Sequence, residues 1–364
     1  MEEKVKYFNY LEKERLERIF YKQPQEFDKK TDKDILKYAL GAFLYIPANK
    51  YEQIYKSVVN QEKEAKPLAI CLEDAISEFG EREAIENLKL VLDDLSKQVF
   101  CKLEKLPLIF IRVKNKEQLK KIKDILIKNK DFITGIIIPK ADSELLEDFI
   151  SILDNFNLNN LYIIPIIESS KFIYKEIKET QFQKMYYSIL NHKDKILGIR
   201  IGLTDVLGMY SIRRKREFCI YDNLIATSFI QDVINYLNRE ELDVPISAGV
   251  SELFNMDDEK IKNLYIKEIE LDKFHGFVGK TVIHPKQVEI VQALSSITYE
   301  DYMDAQDIIK NYNSQIGVKK SSSGDKMNEY KPHYKWAKKI MSLAYIYGVL
   351  NKGVDYNELI KSKK

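Results

Sequence analysis

Long apolar runs are missing from this chain, and so is an excess of charge of either sign. No stretch approaches the roughly 20 consecutive apolar residues of a membrane-spanning helix, so no span is expected. Lysine and arginine number 58 against 56 aspartate and glutamate, a net charge of +2 dispersed along the chain. That balance lacks the clustered basic face of a nucleic-acid-binding protein. Cysteine is scarce: Cys71, Cys101 and Cys219 are the only three, and they form no CxxC pair. An odd, widely spaced set excludes a disulfide scaffold and a thiolate metal site, and implies reduced thiols. HxH and HxxxH pairs are absent as well, which argues against zinc. The opening MEEKVKYFNYLEKERLERIF is charged throughout and has no apolar core of a secretion signal, so a cytoplasmic protein is expected.

What the chain does contain is a series of short apolar runs. They are AFLYIP (42–47), LAICLE (68–73), LIFIRV (108–113), GIIIPK (135–140), LYIIPIIE (161–168), ILGIRIG (196–202), VPISAGV (244–250) and GFVGKTVIHP (276–285). Continuous apolar runs of this length read as strands buried on both faces. Between them, stretches such as EREAIENLKLVLDDLSKQV repeat apolar residues at three- and four-residue spacing and read as helices. Eight strands alternating with helices predict an α/β fold, a (β/α)8 TIM barrel. Residues 1–38 form a predicted N-terminal helical extension and 39–318 the barrel. Residues 319–364 are expected to be a linker and a C-terminal helical segment. Thr31 or Asp32 is the expected cap of a second helix within the extension. KKSSSGDK (319–326) reads as the linker. Beyond it, Trp336, Ile340, Ala344 and Tyr347 form an apolar helical stripe, for a helix packed on the barrel or for a lid or subunit contact.

In parallel barrels chemistry gathers at the carboxyl ends of the strands. Those ends carry Asn49, Glu73 and Asp74, Arg112, Lys140, Glu168, then Gly202, Thr204 and Asp205. A carboxylate ending a buried strand is costly unless it is paired. Glu168 and Asp205, from neighbouring strands, suit a hard divalent cation, since Mg²⁺ takes one or two carboxylates and keeps waters. Arg112 offers a planar fork for a substrate carboxylate. Together they describe a site for a 2-oxo acid or its enolate. Plainer roles are open at each position: Asp205 as a helix cap, Lys140 as an ion-pair partner of Glu73 or Asp74.

The ordered set LYIPANK, LEDAI, IRV, IIPKAD, PIIES, GLTD and GKTVIHPKQ resembles the HpcH/HpaI aldolase and citrate lyase β-subunit family over residues 40–310. The resemblance implies an oligomeric, Mg²⁺-dependent barrel enzyme, with Mn²⁺ as the alternative ion. Such an enzyme makes or breaks carbon–carbon bonds in 2-oxo acids or acyl-CoA thioesters through a metal-stabilised enolate. By position it implies Glu168 and Asp205 as metal ligands and Arg112 as the substrate-carboxylate arginine. Glu73 and Asp74 would be the acidic pair near the metal waters, and Lys140 the strand-four lysine, all counted as catalytic. Asn49, Gly202 and Thr204 join Arg112 as substrate contacts, and His284 and Gln287 take an orienting role. Two departures bear on the CoA thioester: Gly41 stands where the family has arginine, and Asn115 is displaced by one residue. The flanks resemble citrate-lyase-like proteins of bacterial tellurite-resistance and stress gene clusters. The rival readings are a Schiff-base aldolase on Lys140 and a component that works only with partner proteins.

Overall fold

The computed structural model describes residues 5–59, 65–73, 76, 80–100, 106–315 and 317–360. The chain divides into two compact units. One comprises Leu40–Val288; the other joins the residues up to Ala39 with those from Glu289 onward.

The first unit is an eight-stranded parallel barrel. Its strands are β1 (Ala42–Pro47), β2 (Pro67–Cys71), β3 (Leu108–Arg112), β4 (Ile133–Ile138), β5 (Tyr162–Ile167), β6 (Ile199–Ile201), β7 (Ile246–Ser247) and β8 (Lys280–Val282). Each pairs with its sequence neighbours, and β8 returns to β1 through Ala42↔Lys280, Phe43↔Thr281 and Leu44↔Val282. Between β7 and β8 the ring closes through one parallel bridge, Ala248↔Lys280, with Val278 N–H donating to the Ile246 carbonyl at 2.8 Å. All eight predicted strands are present, and helices such as Glu81–Phe100 and Ser143–Asn155 join them, as the three- and four-residue spacing requires.

Side chains alternate across a strand, so parity decides which residues enter the barrel. Phe43 of β1 and Phe110 of β3 lie on strands that are not neighbours, yet their rings are 4.9 Å apart. They can meet only across the interior. Two residues further along the same faces come Tyr45 and Arg112, which therefore occupy the layer above, toward the carboxyl ends. Gly41 precedes the first residue of β1, at the other end. Its carbonyl accepts the Lys280 N–H at 2.8 Å, and a Cβ on Gly279 would meet that oxygen at 2.4 Å.

The second unit is built from both flanks. Helix Tyr334–Tyr347 buries Ala337, Ile340, Ala344 and Tyr347. Trp336, predicted on that stripe, is instead 38% exposed, because Ala337 turns inward in its place. The Tyr347 ring packs on Tyr7 at 4.6 Å, and Tyr7 donates its hydroxyl to the Ala39 carbonyl at 2.8 Å. Asp32, not Thr31, caps the short helix Lys33–Leu36 by accepting from the Asp34 N–H. The stretch read as a linker is the turn of an antiparallel hairpin, Val318–Lys320 against Met327–Glu329. The buried carboxylate of Asp304 holds it, accepting from Ser322 N–H and the Asn328 amide. The compact-unit boundary at Val288 thus places helix Tyr299–Asn311 with the flanks, where the sequence suggested a barrel reaching 318.

Candidate active site

The carboxyl ends of the strands open into a cavity of about 480 Å³. Tyr45, Arg112, Glu168, Arg200, Gly202, Thr204, Asp205 and Thr281 are among the residues lining it. Glu168 follows the last residue of β5 and is 2% exposed. Its Oε1 accepts the backbone N–H of Lys140 at 3.0 Å, which fixes the carboxylate from the neighbouring loop. To present that N–H, Lys140 adopts φ 50°, an unusual conformation for a residue with a side chain. Gly202 follows the last residue of β6, and a Cβ there would stand 1.9 Å from Glu168 Oε2. Only glycine lets β6 pass so near the carboxylate.

Arg112, at the end of β3, places Nη2 2.7 Å from Glu73 Oε2 and 3.7 Å from Glu168 Oε1. Its guanidinium lies over the Tyr45 ring at 5.7 Å. The other oxygen of Glu73 is 3.2 Å from the Lys140 ammonium, which is also 3.7 Å from Asp205 Oδ1. Glu73 is therefore a bridge between two cations. Asp205 lies in the first turn of helix Leu203–Gly208, whose N-cap, Gly202, has no side chain to cap with. Its carboxylate is turned to the cavity and to Lys140, so it is not the cap of that helix.

These contacts give the site its electrostatics. Burial pushes the Glu168 carboxyl up to about 7; Arg112 opposes the shift, and the charges of Asp205 and Glu73 add to it. A buried carboxylate with two acidic neighbours is one a cation would relieve. The donor set agrees, since a hard cation needs only one or two protein carboxylates and completes its shell with water and substrate. Among the described residues no group of three or more His, Cys, Asp or Glu side chains is gathered for a metal, so a fully protein-built cage is not what the site offers. Glu168 and Asp205 are the residues that could hold such a cation.

A pH dependence follows from the raised Glu168 carboxyl. Above its ordinary value of 4.5 and below about 7, the folded state holds a proton that the unfolded state has released. The stabilisation is complete below 4.5 and is lost as pH rises through about 7. At 1.36 kcal/mol per unit, the window spans ~3 kcal/mol. Urea unfolding of the chelated protein at pH 5 and pH 8 is expected to show this loss. Glu168→Gln should remove it from the difference between the two pH values; an unchanged slope in that variant would refute the assignment.

Of the other residues expected at the rim, Gly202 and Thr204 line the cavity, whereas Asn49 is exposed and is not among the lining residues. Asp74 and Cys101 lie outside the described residues. Asn115 caps the following helix by accepting from Gln118 N–H at 2.9 Å, which is a local structural task. Gln287 is fully buried and orients the rim. It accepts from the N–H groups of Ile283 and His284 and donates to the carbonyls of Ser251 and Leu253, tying the loop after β8 to the loop after β7. His284 stacks on Phe254 with centroids 5.5 Å apart.

The residue that sequence reasoning passed over is Arg200, 1% exposed inside the barrel. Its signal was present: a single arginine between isoleucines in ILGIRIG, a run otherwise fit for complete burial.

A family model described as a C–C bond lyase of the TIM-barrel fold matches residues 34–349. No curated protein sequence matches the chain significantly. Among solved structures, CitE from Mycobacterium tuberculosis, in complex with magnesium, acetoacetate and coenzyme A, is similar with a TM-score of 0.55. Identity is 15%, over 84% of this chain and 97% of that one. The lead(II) complex of Haloferax volcanii malate synthase is similar with a TM-score of 0.52 and 14% identity, over 69% of this chain and 71% of that one. At these identities the likeness concerns the fold. Among the described residues no helix is long and apolar enough to cross a membrane.

Proposed function

The chain belongs to the C–C bond lyases of the TIM-barrel fold, and from that premise we propose a Mg²⁺-dependent lyase or aldolase acting on a 2-oxo acid or an acyl-CoA thioester. The observation that carries it is the convergence of Glu168 and Asp205, from the ends of adjacent strands, on one cavity that Arg112 also lines. When bound there, the cation would act as a Lewis acid on a keto oxygen. The magnesium and acetoacetate held by the CitE complex agree with this reading.

The chain's own groups supply the rest. Arg112, held by Glu73 at 2.7 Å and backed by Tyr45, presents a fixed guanidinium to a substrate carboxylate. Glu168, buried and fixed by the Lys140 N–H at 3.0 Å, offers its carboxylate to the cation, whose charge would offset the cost of burying it. Lys140 is ion-paired with Glu73 and Asp205. A Schiff base requires a neutral amine, so this pairing favours the metal reading over a lysine adduct. The site sits in a cavity walled by Ile166, Ile201, Val250 and Ile283, which limits water around the reacting carbon.

The test is metal removal. Protein stripped with chelator is expected to lose carbon–carbon cleavage or condensation with 2-oxo acids and acyl-CoA, and to regain it on addition of MgCl₂. Borohydride trapping with pyruvate is expected to leave Lys140 unmodified. Turnover that survives complete chelation, or a trapped adduct on Lys140, would overturn the reading.

A further inference from the structure

One layer below Gly202, the barrel floor holds a cation that the reading of the rim does not use. Arg200 projects inward from β6 and packs over Phe43 of β1, with its guanidinium carbon 4.7 Å from the ring centroid. The Tyr45 ring is 5.7 Å away. Thr281 of β8 holds it, accepting from Nε at 3.0 Å and from Nη2 at 2.5 Å. Among the described residues Nη1 is buried with no hydrogen-bond partner, and so is the Tyr45 hydroxyl. Both residues line the cavity.

This arrangement is costly as it stands. Arginine is almost never fully buried unless paired, and it does not escape by losing its proton. Among the described residues its hydrogen-bond partner is a neutral hydroxyl, and two aromatic rings flank it. Burial pushes the Tyr45 phenol above its ordinary range, so the hydroxyl remains a proton donor. Two unsatisfied donors, one of them charged, therefore line the cavity together: Arg200 below the Glu168–Arg112 rim, and Tyr45 with its ring 5.7 Å from both guanidinium groups. An anion entering from above would satisfy both.

We propose that the floor of the cavity is a second anion subsite, in which Arg200 and Tyr45 receive the distal acidic group of a dianionic substrate. This deepens the reading of the rim as an acid-binding site and rests on it: one acidic end faces Arg112, the other descends to Arg200. The substrate class is then a small oxo acid with a second carboxylate or a phosphoryl group. Thr281 acts as a positioning residue, since its hydroxyl holds the guanidinium through Nε and Nη2. Leucine or methionine would fill this position without cost in a barrel that bound only monoacids.

The experiment is calorimetric titration in MgCl₂ with oxaloacetate, with 3-phosphonopyruvate, and with 2-oxobutyrate, which lacks a distal charge. The native protein is expected to prefer a dianion over 2-oxobutyrate by roughly ten- to a hundredfold, as for one buried charge-assisted contact. The preferred dianion distinguishes carboxylate from phosphoryl. Arg200→Met is expected to lose the preference while raising the melting temperature of the ligand-free protein, because an unpaired buried charge is gone. Tyr45→Phe is expected to weaken it severalfold and Arg200→Lys to retain part of it; these two decide the matter if Arg200→Met does not fold. A native protein without preference, or variants that keep it in full, would overturn the proposal. Repeating the titrations in chelator separates this idea from the metal reading. If only the metal reading fails, magnesium changes no affinity and the Arg200-dependent preference persists. If only the subsite fails, magnesium strengthens monoacid and dianion alike.

Discussion

Asp205→Ala is expected to lower magnesium-restored turnover by about 10³-fold while the protein stays folded. A Lewis acid on the reacting oxygen contributes several kcal/mol, and each 1.36 kcal/mol is a decade in rate. Asp205 lies in the first turn of a short helix and is only partly buried, so its truncation opens no cavity in the core. Its contacts are with Lys140 and the rim, not with the barrel interior. Circular dichroism and the urea midpoint should be close to native. The discriminating measurement is turnover against magnesium concentration: loss of a ligand shifts the midpoint upward, and excess metal restores part of the rate. A variant that keeps full activity at native magnesium requirement would remove Asp205 from the metal site.

The second large effect concerns stability. Lys280, the first residue of β8, is 1% exposed and sits 3.0 Å from Glu268 and 2.8 Å from Asp272. Arg214 meets Glu268 from the far side at 2.6 Å, and Tyr221 donates its hydroxyl to Asp272 at 2.6 Å. The chain Arg214–Glu268–Lys280–Asp272–Tyr221 thus connects β8, helix Glu259–Phe274 and the loop before helix Leu224–Leu237. Lys280→Met leaves Asp272 buried without its cation, and breaking such a pair costs about 3–5 kcal/mol. Against a typical total of roughly 5–15 kcal/mol, that is about a fifth of the stability or more. Burial raises the Asp272 carboxyl, which Lys280 opposes. The variant should therefore be least destabilised at low pH, where the orphaned carboxyl takes up a proton. The companion Lys280→Met/Asp272→Asn is expected to recover part of the loss. A urea-derived difference under about 1 kcal/mol for Lys280→Met would show the network to be dispensable.

The strands were legible because parallel strands buried on both faces are mostly apolar, so most left an uninterrupted run, broken in β6 by Arg200 and in β8 by Lys280. The rim was legible for the complementary reason. A charged residue that closes such a run, as Glu168 closes YIIPII, can be tolerated only where the strand reaches a polar mouth. Arg200 was harder to see, because one arginine inside ILGIRIG does not announce whether it faces the helices or the interior. That depends on pleat parity counted from the strand's actual start, and ILGIRIG yields a strand of only three residues, Ile199–Ile201. The flanks were misread for another reason. KKSSSGDK has the composition of a linker, but Asp304, 18 residues before Ser322, ties it into a hairpin.

From the order of its residues alone this protein's barrel, its eight strand ends and the acidic character of its mouth could be stated, because burial on both faces and the sign of charge are local properties. Only the tertiary structure decided which charges meet. Glu73 between Arg112 and Lys140, Lys280 between Glu268 and Asp272, and Arg200 beneath the rim are all set by strand register and parity, which bring together groups that sequence distance keeps apart.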